Sequence, residues 1–422
     1  MSDARGERAT ASNDGIGHGD HDLMNSDINE LDQPKAIVAA IILGFAGTGV
    51  AMGMPMLVGS LAESLSFNEQ QLGWLASSDM GGLFIGSFAT AFVVARANRR
   101  TLAYGGLFLV ILSNFFSTQN QELLPLVLCR LGAGVGAGIC YSTCTASLAG
   151  SHNSARTFSI FLFVLVTMNA LIFYVFPMLD ARWGVNGIFA FYLIEAIPIL
   201  FVIPLLPRYF SAPSDEEAKS EDTTELVSKA SVPLILPRLC LAAVFSFYIM
   251  VGAYWAFIER AGSAANISPE FVSGSLTWSQ VFSLSAAFLA VILAKRFGQS
   301  KPLIFSLLAI SLTMLMLAAQ VDSATFVISV FSFSFFWIFI DVFQLGTLSN
   351  IDPSGRYAAL VPAWQGVAQA IAPSIAGTLL AYQMGYGAVM TLCAAASAIA
   401  AAIYLHVYRE LLKTSPELAN AS

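Results

Sequence analysis

Apolar residues in this chain run together in about twelve stretches of roughly twenty residues or more, separated by polar turns. At a rise of about 1.5 Å per residue, each is long enough to cross a hydrocarbon core of about 30 Å. The pattern predicts helices over 36–62, 70–95, 101–118, 123–149, 157–178, 184–206, 236–261, 270–294, 301–320, 324–348, 357–382 and 385–408. Gly and Pro recur inside them, as at Gly44, Gly47, Gly49, Gly53 and Pro55. Such residues weaken a helix in water but permit close helix packing in a membrane. No ten-residue alternation of an outer-membrane barrel is present. The fold class expected is therefore an all-α membrane protein of twelve transmembrane helices.

Composition agrees, with 56% hydrophobic and 11% charged residues, less than half the charge a soluble domain carries. The polar residues sit at the ends and in one central interruption. Together they divide the chain into a polar tail over 1–34 that reads as disordered, a six-helix bundle over 35–206, a central loop over 207–235, a second bundle over 236–408 and a tail over 409–422. Counting loops alternately, Lys35, Arg96, Arg99, Arg100, Arg156, Arg208, Lys219, Lys229, Arg238, Lys295, Arg296, Lys301, Arg356, Arg409 and Lys413 fall on one side, against Arg182 and Arg260 on the other. The positive-inside rule then puts both termini and the central loop in the cytoplasm, as expected of a multi-pass protein of a bacterial inner membrane.

The two halves echo each other. Residues 147–156, ending in Arg156, lie 200 positions before residues 347–356, ending in Arg356, and each segment follows an apolar span. At the same offset Tyr141 matches Asp341 and Asn169 matches Gln369. The basic loop Arg96-Ala97-Asn98-Arg99-Arg100 has a counterpart in Lys295-Arg296-Phe297-Gly298-Gln299-Ser300-Lys301. Pseudosymmetric repeats that enclose a midplane site are a common basis of alternating access.

With these repeats, the fourth-span run Arg130-Leu131-Gly132-Ala133-Gly134-Val135-Gly136-Ala137-Gly138 and the six-plus-six layout, the chain resembles the major facilitator superfamily over nearly all of 35–410. The family's loop pattern Gly-x-x-x-Asp-Arg-x-Gly-Arg-Arg is met only partly, since both copies here lack the aspartate. That leaves Arg96, Arg99, Arg100, Lys295 and Arg296 as the candidate gating residues. The Gly-Pro pattern of the family's antiporters is absent from the fifth span, which tilts the resemblance toward uptake by symport.

A charge inside a membrane span is costly unless paired, hydrated or protonated, so four residues stand out: Asp79, Arg130, Glu195 and Asp341. Asp79 and Arg130 fall at similar depth and can pair, either as a structural brace or with Arg130 offering its planar fork to a substrate carboxylate. Asp341 lies on the tenth helix, which the resemblance places at the central cavity, where a carboxyl can exchange a proton with either side. Asp79, Asp341 and Glu195 are the candidate proton-coupling groups. Tyr248 and Trp255, seven residues apart on one helix face, with Tyr141, Asn169, Gln344, Gln365 and Gln369, are candidates with Arg130 to line a cavity for an amphipathic or aromatic organic anion.

No phosphate-cradling loop, nucleophile elbow or metal-ligand cluster is present, so neither an enzyme nor a cofactor or metal site is expected. The expected partners are a small-molecule substrate, protons and membrane lipid, with no nucleic acid and a monomeric chain. Proton-coupled symport is the reading, against efflux by antiport, a non-transporting sensor or a channel. Reporter fusions at Leu61 and Lys219 are expected to lie on opposite sides of the membrane; activity of the same reporter at both would overturn the topology.

Overall fold

A computed structural model describes residues 32–151, 153–208, 233–352 and 356–419. The tail over 1–34 and the central loop over 207–235 fall almost entirely outside those residues. Twelve long helices follow in order: α1 (Pro34–Leu65), α2 (Glu69–Val93), α3 (Arg99–Gln119), α4 (Leu123–Ala149), α5 (Ser154–Trp183), α6 (Val185–Val202), α7 (Ile235–Ala264), α8 (Pro269–Phe297), α9 (Ser300–Ala319), α10 (Ser323–Ile351), α11 (Val361–Ala381) and α12 (Gly385–Thr414). Each of the twelve expected spans is a helix, extended by a few residues at most ends. Short connections alternate the helices within each half, and α7 runs beside α1 in the same direction, Trp255 meeting Ala51 and Glu259 meeting Gly59. The start of α1 and the end of α12 therefore share one face, called here the terminal face, and the opposite one is the far face.

Local chemistry marks several ends. Asn68 caps α2 by accepting from the Gln71 N–H at 3.0 Å, while the Gln71 side chain accepts from the Asn68 N–H at 2.9 Å. Asp322 does the same for α10, accepting from the N–H groups of Thr325 at 2.9 Å and Ala324 at 3.0 Å. Those bonds, the Thr325 N–H first, hold its carboxyl below the usual carboxylate range.

Ten of these helices are long and apolar enough to cross a membrane; α2 and α11 are not among the ten. The reason is their position. They pack along each other where the two halves meet, so Ser77 and Ser374 face one another at 2.8 Å instead of facing lipid. The halves also meet through α5 against α8 and α1 against α7. Large exposed side chains such as Phe92, Phe108, Phe201, Phe288, Phe305 and Leu312 form the outward apolar coat.

The glycine run of α4 sets the geometry of the first half. Gly134 and Gly138, one turn apart, face α2. A Cβ on Gly134 would meet the backbone of Asp79, Gly82 and Leu83, and one on Gly138 that of Leu83, Gly86 and Ser87. Gly132 and Gly136 point elsewhere, toward Ser113 and Gly106 of α3. Two helices thus reach α4 at backbone distance, and the Ser87 hydroxyl donates to the Gly138 carbonyl at 3.1 Å. Gly134→Val is expected to lower thermal stability by more than the ~1–3 kcal/mol of ordinary overpacking, since backbone cannot swing aside. Gly105→Ala, where a Cβ meets nothing within 4 Å, serves as the control that leaves melting unchanged.

Candidate functional site

Two clusters of polar side chains lie inside the apolar helices. One is central, between the halves. The Tyr248 hydroxyl of α7 donates to Asp341 Oδ2 of α10 at 2.5 Å and accepts from the Trp337 indole at 3.3 Å. The other carboxyl oxygen, Asp341 Oδ1, is buried and has no hydrogen-bond partner among the described residues. Tyr141 of α4, from the opposite half, and Tyr404 of α12 both stand close enough to Asp341 to act on it electrostatically. The buried Tyr404 hydroxyl also lacks a partner, as do both amide atoms of Gln344, one turn beyond Asp341. Buried polar atoms are almost always satisfied, so this concentration of open ones marks a place that water or a ligand can complete.

An aromatic floor closes the cluster toward the far face. The Trp255 ring stacks on Phe333 at 5.4 Å and 15°, meets Phe173 of α5 edge-on at 5.8 Å, and lies 6.1 Å from Trp337. Its indole N–H crosses between halves to the Ala51 carbonyl of α1 at 2.9 Å. From there to the far face α1 and α7 stay together, to the point where a Cβ on Gly59 would collide with the Glu259 carboxyl. Tyr248 and Trp255, on one face two turns apart, thus bracket the central cluster.

The second cluster is enclosed within the first half. Arg130 is fully buried and Asp79 nearly so; Nη1 of the arginine lies 3.8 Å from Asp79 Oδ1, an ion pair without a hydrogen bond. Arg130 Nη2 donates to Asn114 Oδ1 of α3 at 2.8 Å, and the guanidinium lies 4.8 Å from the centre of the Phe189 ring of α6. Tyr192 and Glu195 both lie over Gly49, and Tyr192 interacts electrostatically with Glu195, Arg130 and Asp79. Glu195 lines a small cavity with Val50, Val110, Ala133, Ala137 and Tyr192.

The structure therefore brings Asp79 and Arg130 together and, in a separate place, Tyr248 and Asp341, with Tyr141 near enough to interact electrostatically and Gln344 one turn along α10. Asn169 is used between halves, donating to Gln280 of α8 at 2.8 Å. Gln365 and Gln369 sit half-buried on α11, where the Gln369 backbone closes on Gly252 of α7. Among the gating residues, Arg96 and Arg296 are exposed, and the Arg296 guanidinium lies 5.3 Å from the Phe297 ring. The Arg99 N–H donates to the Arg208 carbonyl at 2.9 Å and Arg100 Nε to the Leu206 carbonyl at 2.5 Å, tying the loop to the end of α6. The Lys295 side chain lies outside the described residues.

Sequence reasoning missed the far-face network. Glu69 of α2 accepts from Arg260 of α7 at 3.1 Å and from the Tyr386 hydroxyl of α12 at 2.9 Å, joining the halves. Glu259 beside it is buried. The available signal was Glu259-Arg260 in the last turn of an apolar run, set against a face almost empty of cations.

The sequence model of the Major Facilitator Superfamily matches residues 39–350. No curated protein matches this chain. Among solved structures, a D-xylose–proton symporter is similar at 16% identity, with 92% of this chain and 98% of that chain covered and a TM-score of 0.68. The inward open conformation of the xylose transporter XylE from E. coli is similar at 16% identity, over 88% and 94% of the two chains, with a TM-score of 0.66. The nucleoside transporter NupG is similar at 14% identity, over 89% and 99%, with a TM-score of 0.68. At such identities the structures speak for the fold, and the match over 39–350 speaks for the family: this chain belongs to the major facilitator superfamily and is a multi-pass membrane transporter, not an enzyme.

Proposed function

We propose that the protein moves a small amphipathic organic solute by proton-coupled symport, with Asp341 carrying the proton and the terminal face in the cytoplasm. The observation that carries the reading is the half-satisfied Asp341 carboxyl, bonded to Tyr248 on one oxygen and open on the other, at the junction of α7, α10, α12 and α4. A solute seated among Trp255, Trp337 and Tyr141 would cover its rings on the aromatic floor. Its polar end would accept from the Tyr248 hydroxyl and so draw it away from Asp341. Loss of that hydrogen bond makes the ionised form more costly and so binds substrate and proton together. The likeness in fold to a D-xylose–proton symporter supports such coupling. The lopsided loop charge supports the orientation.

Rocking of the halves about α2 with α11 and α5 with α8 would expose the site to either side in turn. The first half supplies a second ionic element in Asp79 and Arg130. Its partners all come from that half, so a substrate carboxylate meets Arg130 only when its contact with Asp79 opens. An anionic substrate is therefore proposed to act by partner exchange: it replaces Asp79, and the released aspartate binds a proton.

Asp341→Asn is expected to abolish accumulation against a gradient while leaving substrate exchange measurable. Full accumulation by both Asp341→Asn and Asp79→Asn, or by the wild type in a protonophore, would remove proton coupling. Arg130→Lys keeps the charge but loses the fork, so it is expected to weaken uptake of a carboxylate solute by about tenfold or more with little change in melting temperature. Normal carboxylate uptake by both Arg130→Lys and Arg130→Gln would leave Arg130 a structural brace and the anion reading without support.

A further inference from the structure

The far face holds a buried acid that the central site does not use. Glu259 is 8% exposed, on the side of α7 that meets α1 of the other half. Its Oε1 accepts from the Ser263 hydroxyl one turn along at 2.7 Å, and its Oε2 is buried with no partner among the described residues. That carboxyl lies over Gly59, where any side chain on α1 would collide with it. The charged groups that act on it are Arg260 of its own helix, Glu63 of α1 and Asp180 of α5. Arg260 is turned to Glu69 at 3.1 Å, and Tyr386 shares that carboxylate, so the one cation that acts on Glu259 among the described residues is already committed. Asp180 accepts from the Ser60 hydroxyl, which holds its charge close to the same junction.

An ionised Glu259 would thus face two carboxylates of the opposite half, with one hydroxyl for company. As the halves part at this face, Glu63 and Asp180 recede with their half, and water reaches the carboxyl. We propose that Glu259 is a second proton-binding site, which takes a proton from the far-face solution as that face closes and returns it there when the face opens. The balance is simple: the carboxylate oxygen gains a proton, no other bond forms or breaks, and Glu69 with Arg260 remains the ionic clasp. The inference rests on the far-face geometry alone and holds whether or not Asp341 couples transport to protons. It makes closure of this face favourable in acid and unfavourable in base.

The test uses the full chain with its five native cysteines replaced, in lipid nanodiscs, without substrate. Spin labels go at Asn186 and Ala264, exposed far-face positions in opposite halves. Between about pH 5 and about pH 9 the long-distance population of the wild type is expected to grow at least about threefold. Glu259→Gln, nearly the same shape, is expected to stay in the short-distance state throughout. Glu63→Gln, at an exposed position that does not threaten folding, is expected to lower the open fraction at the alkaline end by removing one facing charge. In Asp341→Asn the populations are expected to shift but to keep a pH response that adding Glu259→Gln removes, which separates this site from the central one. A flat wild-type response, an undiminished one in Glu259→Gln, or an alkaline open fraction unchanged by Glu63→Gln would each overturn the proposal.

Discussion

The rest of the first half depends on how closely α4 approaches α2 and α3. Inside a bilayer there is no hydrophobic drive between helices, so association rests on packing and on polar contacts between surfaces that fit. Gly134 and Gly138 bring α2 to backbone distance, Gly136 does the same for α3, and Gly132 makes room for the Ser113 side chain. That approach places Asp79, Arg130 and Asn114, all buried, within reach of one another. Wider spacing would leave the guanidinium with fewer partners, and an unpaired charge at that depth costs several kcal/mol.

The two halves solve the problem of buried charge differently. In the first, Arg130 is shared among a carboxylate, an amide and an aromatic ring, all drawn from its own bundle. In the second, Asp341 has a tyrosine on one oxygen and an open position on the other, at the boundary with α4. Tyr141 and Asp341 occupy matching positions of the repeat and interact electrostatically across the boundary as a phenol and an acid. The repeat thus supplies equivalent positions, and divergence of side chains gives them different chemistry.

Contacts between the halves are graded along the membrane normal. The Trp255 indole bonds α1 near mid-depth, Glu259 presses on Gly59 above it, and Glu69 gathers Arg260 and Tyr386 beyond. Aromatic packing resists water, while the ionic clasp at the rim is partly exposed and worth little by itself. Closure at this face therefore leans on the fit of α1 against α7.

Much was legible in the chain itself. Span length and apolarity dictated twelve helices, because a backbone in lipid must satisfy its own hydrogen bonds. The glycine run announced close packing, and the rarity of intramembrane charge singled out Asp79, Arg130, Glu195 and Asp341. Partnership was not legible. Nothing in the order of residues says that Arg130 points toward Asn114 and Phe189, that Asn169 is spent on Gln280, or that Glu259 is pressed against a glycine two hundred positions away. Those outcomes depend on helix rotation and on which bundle each face meets. An apolar run constrains neither, since lipid and protein neighbours are equally apolar. The sequence by itself determined the helices and the scarce charges they carry; only the tertiary structure decided which charges meet, because rotation about a helix axis costs nothing until a neighbour is in place.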